Sequence, residues 1–170
     1  GTNSDWETEG NDRTDFNLPG MQNQLIEEII DINPNTVVVL NTGSPVNMPW
    51  ANKAKSIIQS WYAGQEYGEA LAEILIGKFN PSGKLPTTFP IRIEDTPAFK
   101  HYPGKDLQMN YDEKLFVGYK WYDREKIKTL FPFGHGLSYT QFKYTDLKVE
   151  ALNNNNFVCS YRVTNTGKQA

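Results

Sequence analysis

Hydrophobic positions along this chain follow one period in the first half and another in the last quarter. Residues 1–17 are polar and acidic and read as a loop, with Gly10 available for a turn and Asp12 beside Arg13 as a local ion pair. Pro19 suits the first turn of a helix, where its missing N–H costs nothing. From there Met21, Leu25, Ile26, Ile29, Ile30 and Ile32 recur at helical spacing, and Asn33-Pro34-Asn35 ends the run. Residues 36–40 are continuously apolar and rich in β-branched side chains, which predicts a strand buried on both faces, as in a parallel sheet.

The same sequence of signals then recurs. Gly43-Ser44-Pro45 is a turn, residues 50–55 form a short helical stretch, and 56–61 predict a second buried strand through Ile57 and Ile58. Residues 65–76 are amphipathic, with Leu71, Ile74 and Leu75 on one face, Gln65 and Glu66 opening the helix at its positive end and Gly77 as its C-cap. Helix, strand, helix, strand, helix is half of a doubly wound sheet. The predicted fold class is therefore α/β, a three-layer α/β sandwich with a mostly parallel sheet, truncated here.

After Gly77 the character changes. Asn80-Pro81-Ser82-Gly83 is turn chemistry, 85–91 is extended, and 92–113 is a long polar connection. Residues 115–123 alternate well enough to predict a strand, and 131–139 form a tight segment rich in Gly and aromatics. Two period-2 strands, 142–152 and 157–164, flank the loop Asn153-Asn154-Asn155-Asn156. Two strands cannot bury a core, so the chain is expected to stop inside an incomplete β-sandwich. The organisation this suggests is 1–135 as the α/β domain and 136–170 as the opening of a β domain.

Composition narrows the function classes. The 170 residues carry a net charge of −3, with Lys and Arg dispersed, which speaks against nucleic acid because phosphate binding needs a concentrated basic face. No apolar run approaches a membrane span, and the polar, acidic N-terminus lacks the pattern of a secretory signal. Cys159 is the sole cysteine, and the two histidines, His101 and His135, are far apart. Disulfide frameworks and Cys- or His-based metal sites are therefore not expected, and no cofactor is implied. The compartment is not legible.

Five motifs, in order, carry a resemblance. Glu9-Gly10-Asn11-Asp12-Arg13, followed by Leu18-Pro19, resembles the acid/base loop of glycoside hydrolase family 3, usually E-G-[FY]-D-R. Asn33-Pro34-Asn35-Thr36-Val37-Val38-Val39 and Trp61-Tyr62-Ala63-Gly64-Gln65-Glu66 resemble its N-P-N-T-V-V-V and W-Y-P-G-Q-E segments. Asn80-Pro81-Ser82-Gly83-Lys84-Leu85-Pro86 and Phe131-Pro132-Phe133-Gly134-His135-Gly136-Leu137-Ser138-Tyr139 complete the set. The resemblance implies a three-part enzyme: a (β/α)8 barrel with a nucleophilic Asp, an α/β sandwich with the acid/base Glu, and a fibronectin type III-like sandwich. This chain would hold most of the second part and the start of the third, Gly1-Thr2 being the exit from an earlier strand.

The activity so implied is hydrolysis of terminal β-D-glucosyl residues by double displacement, with Glu9 as general acid/base and the nucleophile in the missing barrel domain. The expected partners are a β-glucoside or oligosaccharide substrate and that barrel, with no nucleic acid and no membrane. The chemistry needs two carboxyl groups, about 5–5.5 Å apart in retaining enzymes. In Trp6-Glu7-Thr8-Glu9-Gly10, Glu7 competes with Glu9 for the role. Ser4-Asp5-Trp6 matches the family's S-D-W nucleophile motif, but it directly precedes the acid/base loop and is read as coincidence. Asn11 stands where relatives carry the Phe or Tyr that walls the aglycone subsite, so it is a substrate-binding candidate with altered preference.

Structural duty is expected of Asp12 and Arg13 in bracing the loop, of Trp50, Trp61 and Trp121 in the core, and of His135 in its tight turn. Glu113 matches the Glu of a Y-x-E-G-[IL]-F-V-G-Y segment and is also read as structural. Within the same enzyme class a β-xyloside is the alternative substrate. Outside it, the alternatives are a non-catalytic carbohydrate-binding or packing module and a flavodoxin-like nucleotide domain, the latter disfavoured because no Gly-rich phosphate loop follows a strand.

Overall fold

The apolar stripe after Pro19 winds into helix α1, Gln22–Ile32, with Ile30 buried and Ile26 packed against the core. The computed structural model describes every residue except 11, 14, 154 and 170. Gly20 adopts a left-handed φ of 58°, open to a residue without Cβ, so α1 starts two residues past it and Pro19 lies outside the helix. Asn33 ends α1 in an extended conformation. The next residues form β1, Val37–Leu40, which pairs in parallel with β2, Ser56–Gln59, in the register Val38↔Ile57 and Leu40↔Gln59. A parallel pair needs a crossover between its strands, and residues 41–55 supply it.

Burial of β1 alternates rather than being complete. Val38 and Leu40 are buried, while Val37 is 45% exposed. The expected short helix at 50–55 is a turn instead. Its nucleus is Trp50, fully buried, whose indole N–H donates to Asn23 Oδ1 at 2.8 Å. A large side chain anchored to α1 fixes this segment more strongly than local helix propensity could.

The extended region 85–91 contributes only β3, Phe89–Pro90, which pairs antiparallel with β4, Thr129–Phe131. Phe89 is 1% exposed and meets the rings of Trp61 and Phe131 at 6.1 and 6.3 Å. His135 stacks on Phe131 at 5.0 Å, and its carbonyl accepts the Leu85 N–H at 2.8 Å. The long connection begins with a 3₁₀ turn, Ile93–Asp95.

The strand expected at 115–123 is overturned. Residues Tyr119–Glu125 form helix α3, entered through Gly118 at φ 56° and left through Lys126 in the left-handed region. Alternation of apolar and polar residues made this stretch look like a strand. Tertiary anchors decide otherwise: Tyr122 is buried, Trp121 Nε1 donates to the Asp95 carbonyl at 3.0 Å, and Arg124 lies 4.3 Å over the Phe116 ring. Glu113 is buried nearby in sequence, its carbonyl accepting from Phe116 N–H.

These elements form one compact unit, Gly1–Glu66 with Lys84–His135; Tyr67–Gly83 and Gly136–Ala170 form another. The second unit holds α2, Tyr67–Leu75, which starts two residues later than its sequence pattern and ends before Gly77 at φ 75°. Within it Asn80 Oδ1 accepts from Tyr139 N–H at 2.7 Å and Ser138 Oγ at 3.0 Å, joining two of the sequence motifs. Its antiparallel hairpin consists of β5, Phe142–Ala151, and β6, Phe157–Asn165. Every β6 residue is exposed, and so is every β5 residue but one.

Candidate active site

Open α/β sheets present ligands at the carboxyl ends of their parallel strands, and there the structure gathers a dense polar cluster. The segment after β1 runs Asn41-Thr42-Gly43-Ser44-Pro45, and the segment after β2 brings Tyr62 beside it. Residue Thr2 joins them, its N–H donating to the Asn41 carbonyl at 2.9 Å. Into this edge reaches Glu7, from the loop that carries the candidate acid/base.

Among the described residues, five donors converge on the Glu7 carboxylate. Oε2 accepts from the Thr2 hydroxyl at 2.5 Å, the Tyr62 hydroxyl at 2.7 Å and the Gly43 N–H at 2.9 Å, and Oε1 accepts from Arg13 NH1 at 2.9 Å and from the Ser44 hydroxyl. The Thr2 and Tyr62 oxygens also lie 2.6 Å apart. Two hydroxyls carry two protons, so with both turned to the carboxylate their mutual contact has none left. Gly43 is required by this packing: a Cβ there would meet Tyr62 Cε2 at 2.7 Å and Glu7 Oε2 at 3.3 Å.

Burial by itself pushes the Glu7 carboxyl up. The hydrogen bonds from Ser44, Thr2, Tyr62 and Gly43 outweigh it and hold the group down at about 2. The Tyr62 hydroxyl moves the other way, raised by burial and by donating to the Glu7 anion beside it. Arg13 does not pair with its neighbour Asp12 but with Glu7, both side chains 13% exposed. It further donates to Ser44 Oγ at 3.0 Å, the Pro45 carbonyl at 3.3 Å and the Asp15 carbonyl at 3.2 Å. Asp12 accepts instead from the Tyr102 hydroxyl.

Glu9 sits two residues beyond Glu7, exposed in a turn that Gly10 closes with a φ of 78°. Asn11, the substrate-binding candidate, lies outside the described residues. Asp5 is exposed in a turn whose N–H donates to Asn3 Oδ1. Beside the loop opens a cleft of about 580 Å³, lined among others by Glu7, Asp12, Arg13, Thr88, Tyr102 and Tyr122. Burial, with the charge of Asp95, pushes the Tyr122 hydroxyl up to about 12. Among the described residues no group of His, Cys, Asp and Glu is arranged to hold a metal ion. Sequence reasoning gave no part in the site to Thr2, Ser44 or Tyr62; their only signal was that two of them fall in the G-S-P turn and the W-Y motif.

Helix α1 packed on a parallel pair, with an acidic loop tied to the carboxyl edge of that pair through Glu7, defines an α/β domain. The model of the glycosyl hydrolase family 3 C-terminal domain matches residues 1–139, and the chain belongs to that family. It is the C-terminal domain portion of such proteins. Among curated relatives it is 47% identical to thermostable beta-glucosidase B of Acetivibrio thermocellus, over all of this chain and 23% of the relative. It is 43% identical to a probable beta-glucosidase I of Aspergillus flavus, over all of this chain and 21% of the relative.

Solved structures agree. The beta-glucosidase of Kluyveromyces marxianus in complex with glucose matches with a TM-score of 0.92 and 40% identity, covering 99% of this chain and 20% of that one. DesR, a beta-glucosidase from Streptomyces venezuelae in complex with D-glucose, matches with a TM-score of 0.88 and 47% identity, covering 94% of this chain and 21% of that one. The chain thus spans about a fifth of the length of the relatives it matches.

Proposed function

We propose that this chain is the acid/base-bearing part of a retaining β-glucosidase, with Glu9 protonating the departing glycosidic oxygen and then deprotonating the attacking water. The nucleophilic Asp comes from a barrel domain elsewhere in the same enzyme, and the substrate is a terminal, non-reducing β-D-glucoside. The relatives named beta-glucosidase, two of them solved with glucose, support the substrate class. The observation that carries the assignment of Glu9 is the state of its competitor. Both oxygens of Glu7 are occupied by protein donors, Thr2, Tyr62 and Gly43 on one and Arg13 and Ser44 on the other, so neither faces a departing glycosidic oxygen. Glu9 is exposed at the tip of the same loop and can reach a substrate.

Substrates with poor leaving groups depend on proton donation, whereas those with good leaving groups do not. In the full-length enzyme Glu9→Ala is therefore expected to lose several orders of magnitude in kcat/KM on an alkyl glucoside and little on dinitrophenyl glucoside. With the latter the glycosyl-enzyme accumulates, since no base activates water. Azide attacks without a base, so adding it restores turnover and yields β-glucosyl azide. Equal losses on both substrates, with no azide product, overturn the role of Glu9.

A further inference from the structure

The Glu7 cluster holds the acid/base loop at two points, and that has a consequence for catalysis. We propose that Glu7 is the positioning residue for the acid/base: a carboxylate whose hydrogen bonds staple the base of the 7–13 loop to the ends of β1 and β2 and thereby fix where Glu9 stands. The proposal rests on the reading of Glu9 as acid/base.

Three features carry it. First, the partners of Glu7 come from separate segments: Thr2, the Gly43-Ser44 turn after β1, Tyr62 after β2, and Arg13 across the loop itself. One side chain therefore ties the loop to both parallel strands. Second, Glu7 and Arg13 bracket Glu9. Their ion pair closes the loop at its neck, and Arg13 adds its own bonds to Ser44 and Pro45. Both ends of the Glu9 turn are then anchored on the same strand end, while its tip at Glu9-Gly10 stays exposed. Third, both oxygens of Glu7 must accept, since the donor-only groups Gly43 N–H and Arg13 NH1 face Oε2 and Oε1 respectively. A carboxylate offers about four lone-pair directions on two oxygens, whereas an amide would turn N–H groups toward N–H and O–H donors.

The chemistry makes such a staple matter. Proton transfer needs the carboxyl within hydrogen-bond reach of the leaving oxygen, and a displacement of about 1 Å costs roughly 10²-fold. A loop tip fixed only by its exposed turn would not hold that tolerance.

The test uses the full-length enzyme carrying Glu7→Gln, Tyr62→Phe or Glu9→Ala, with kcat/KM measured on an alkyl glucoside and on dinitrophenyl glucoside. Glu7→Gln is expected to lose roughly 10²-fold on the alkyl substrate and only a few-fold on the dinitrophenyl one. Unlike Glu9→Ala, it forms no β-glucosyl azide, because the Glu9 carboxylate still stands there. Tyr62→Phe removes one donor, keeps the carboxylate and folds more securely. It should show a smaller loss with the same substrate dependence, and its effect should add less than fully to that of Glu7→Gln. Equal losses on both substrates, or wild-type kinetics, overturn the proposal and leave Glu7 as a stabilising ion pair only. Azide product from Glu7→Gln but not from Glu9→Ala overturns it together with the assignment of Glu9. If Glu9→Ala behaves as an acid/base variant while Tyr62→Phe and Glu7→Gln show no substrate dependence, only the positioning role falls.

Discussion

Glu7 shows how an environment sets the use of a carboxyl. Its folded-state pKa of about 2 lies below the ordinary 4.5, so the unfolded chain binds this proton more readily than the folded one. The stabilisation is therefore complete above about 4.5 and is lost as pH falls through about 2. Glu7→Gln, which leaves donors facing donors and Arg13 without its partner, is expected to cost about 3 kcal/mol at neutral pH. Thermal melts of wild type and Glu7→Gln should show a Tm gap that is widest near neutrality and closes between about 4.5 and about 2. A gap independent of pH would mean that the charge contributes nothing. Of the two glutamates in the loop, the sequence singled out Glu9 through its Gly10 partner and the motif that follows. It contained no comparable sign of what holds Glu7, because those donors lie as far as 55 positions away.

At the scale of elements, the turn around Trp50 ties the crossover between β1 and β2 to helix α1. The indole is fully buried and bonded to Asn23. Trp50→Ala is expected to cost about 3–5 kcal/mol through the cavity it leaves, with Asn23 losing its donor as well. Chemical denaturation should register this as a fall in midpoint at unchanged slope, and a cost under about 1 kcal/mol would show that the site collapses freely. Periodicity found β1, β2, α2 and both hairpin strands within one or two residues, and α1 with its start three residues early, since each is set by its own neighbours. It failed at Trp50 and at α3. There one anchored aromatic, Trp50 on Asn23 or Trp121 on Asp95, outweighs the local preference of the residues around it.

At the scale of the molecule, the chain spans about a fifth of its relatives, and double displacement needs two carboxyl groups acting in the transition state. If the nucleophile comes from another domain, as proposed, the isolated 170-residue chain is expected to show no hydrolysis of aryl β-glucosides. Measurable turnover at a rate proportional to chain concentration would overturn the division of the two carboxyls between domains. The exposed apolar residues of the hairpin, Tyr144, Leu147 and Phe157 among them, agree with strands that do not bury a core by themselves.

The sequence by itself determined the α/β class, α1, β1, β2, α2 and the closing hairpin in that order, the family through five ordered motifs, and Glu9 as the residue to test. These rest on local information: spacing along one helix or strand, and short strings of residues that stay adjacent however the chain folds. Tertiary structure alone decided that 119–125 is helical, that Arg13 pairs with Glu7 rather than Asp12, and that Glu7 is a saturated anion rather than a second acid. Those outcomes depend on which distant segments share the carboxyl edge of β1 and β2. No periodicity encodes that, because hydrogen bonds between loops follow from the packing of the strands that carry them.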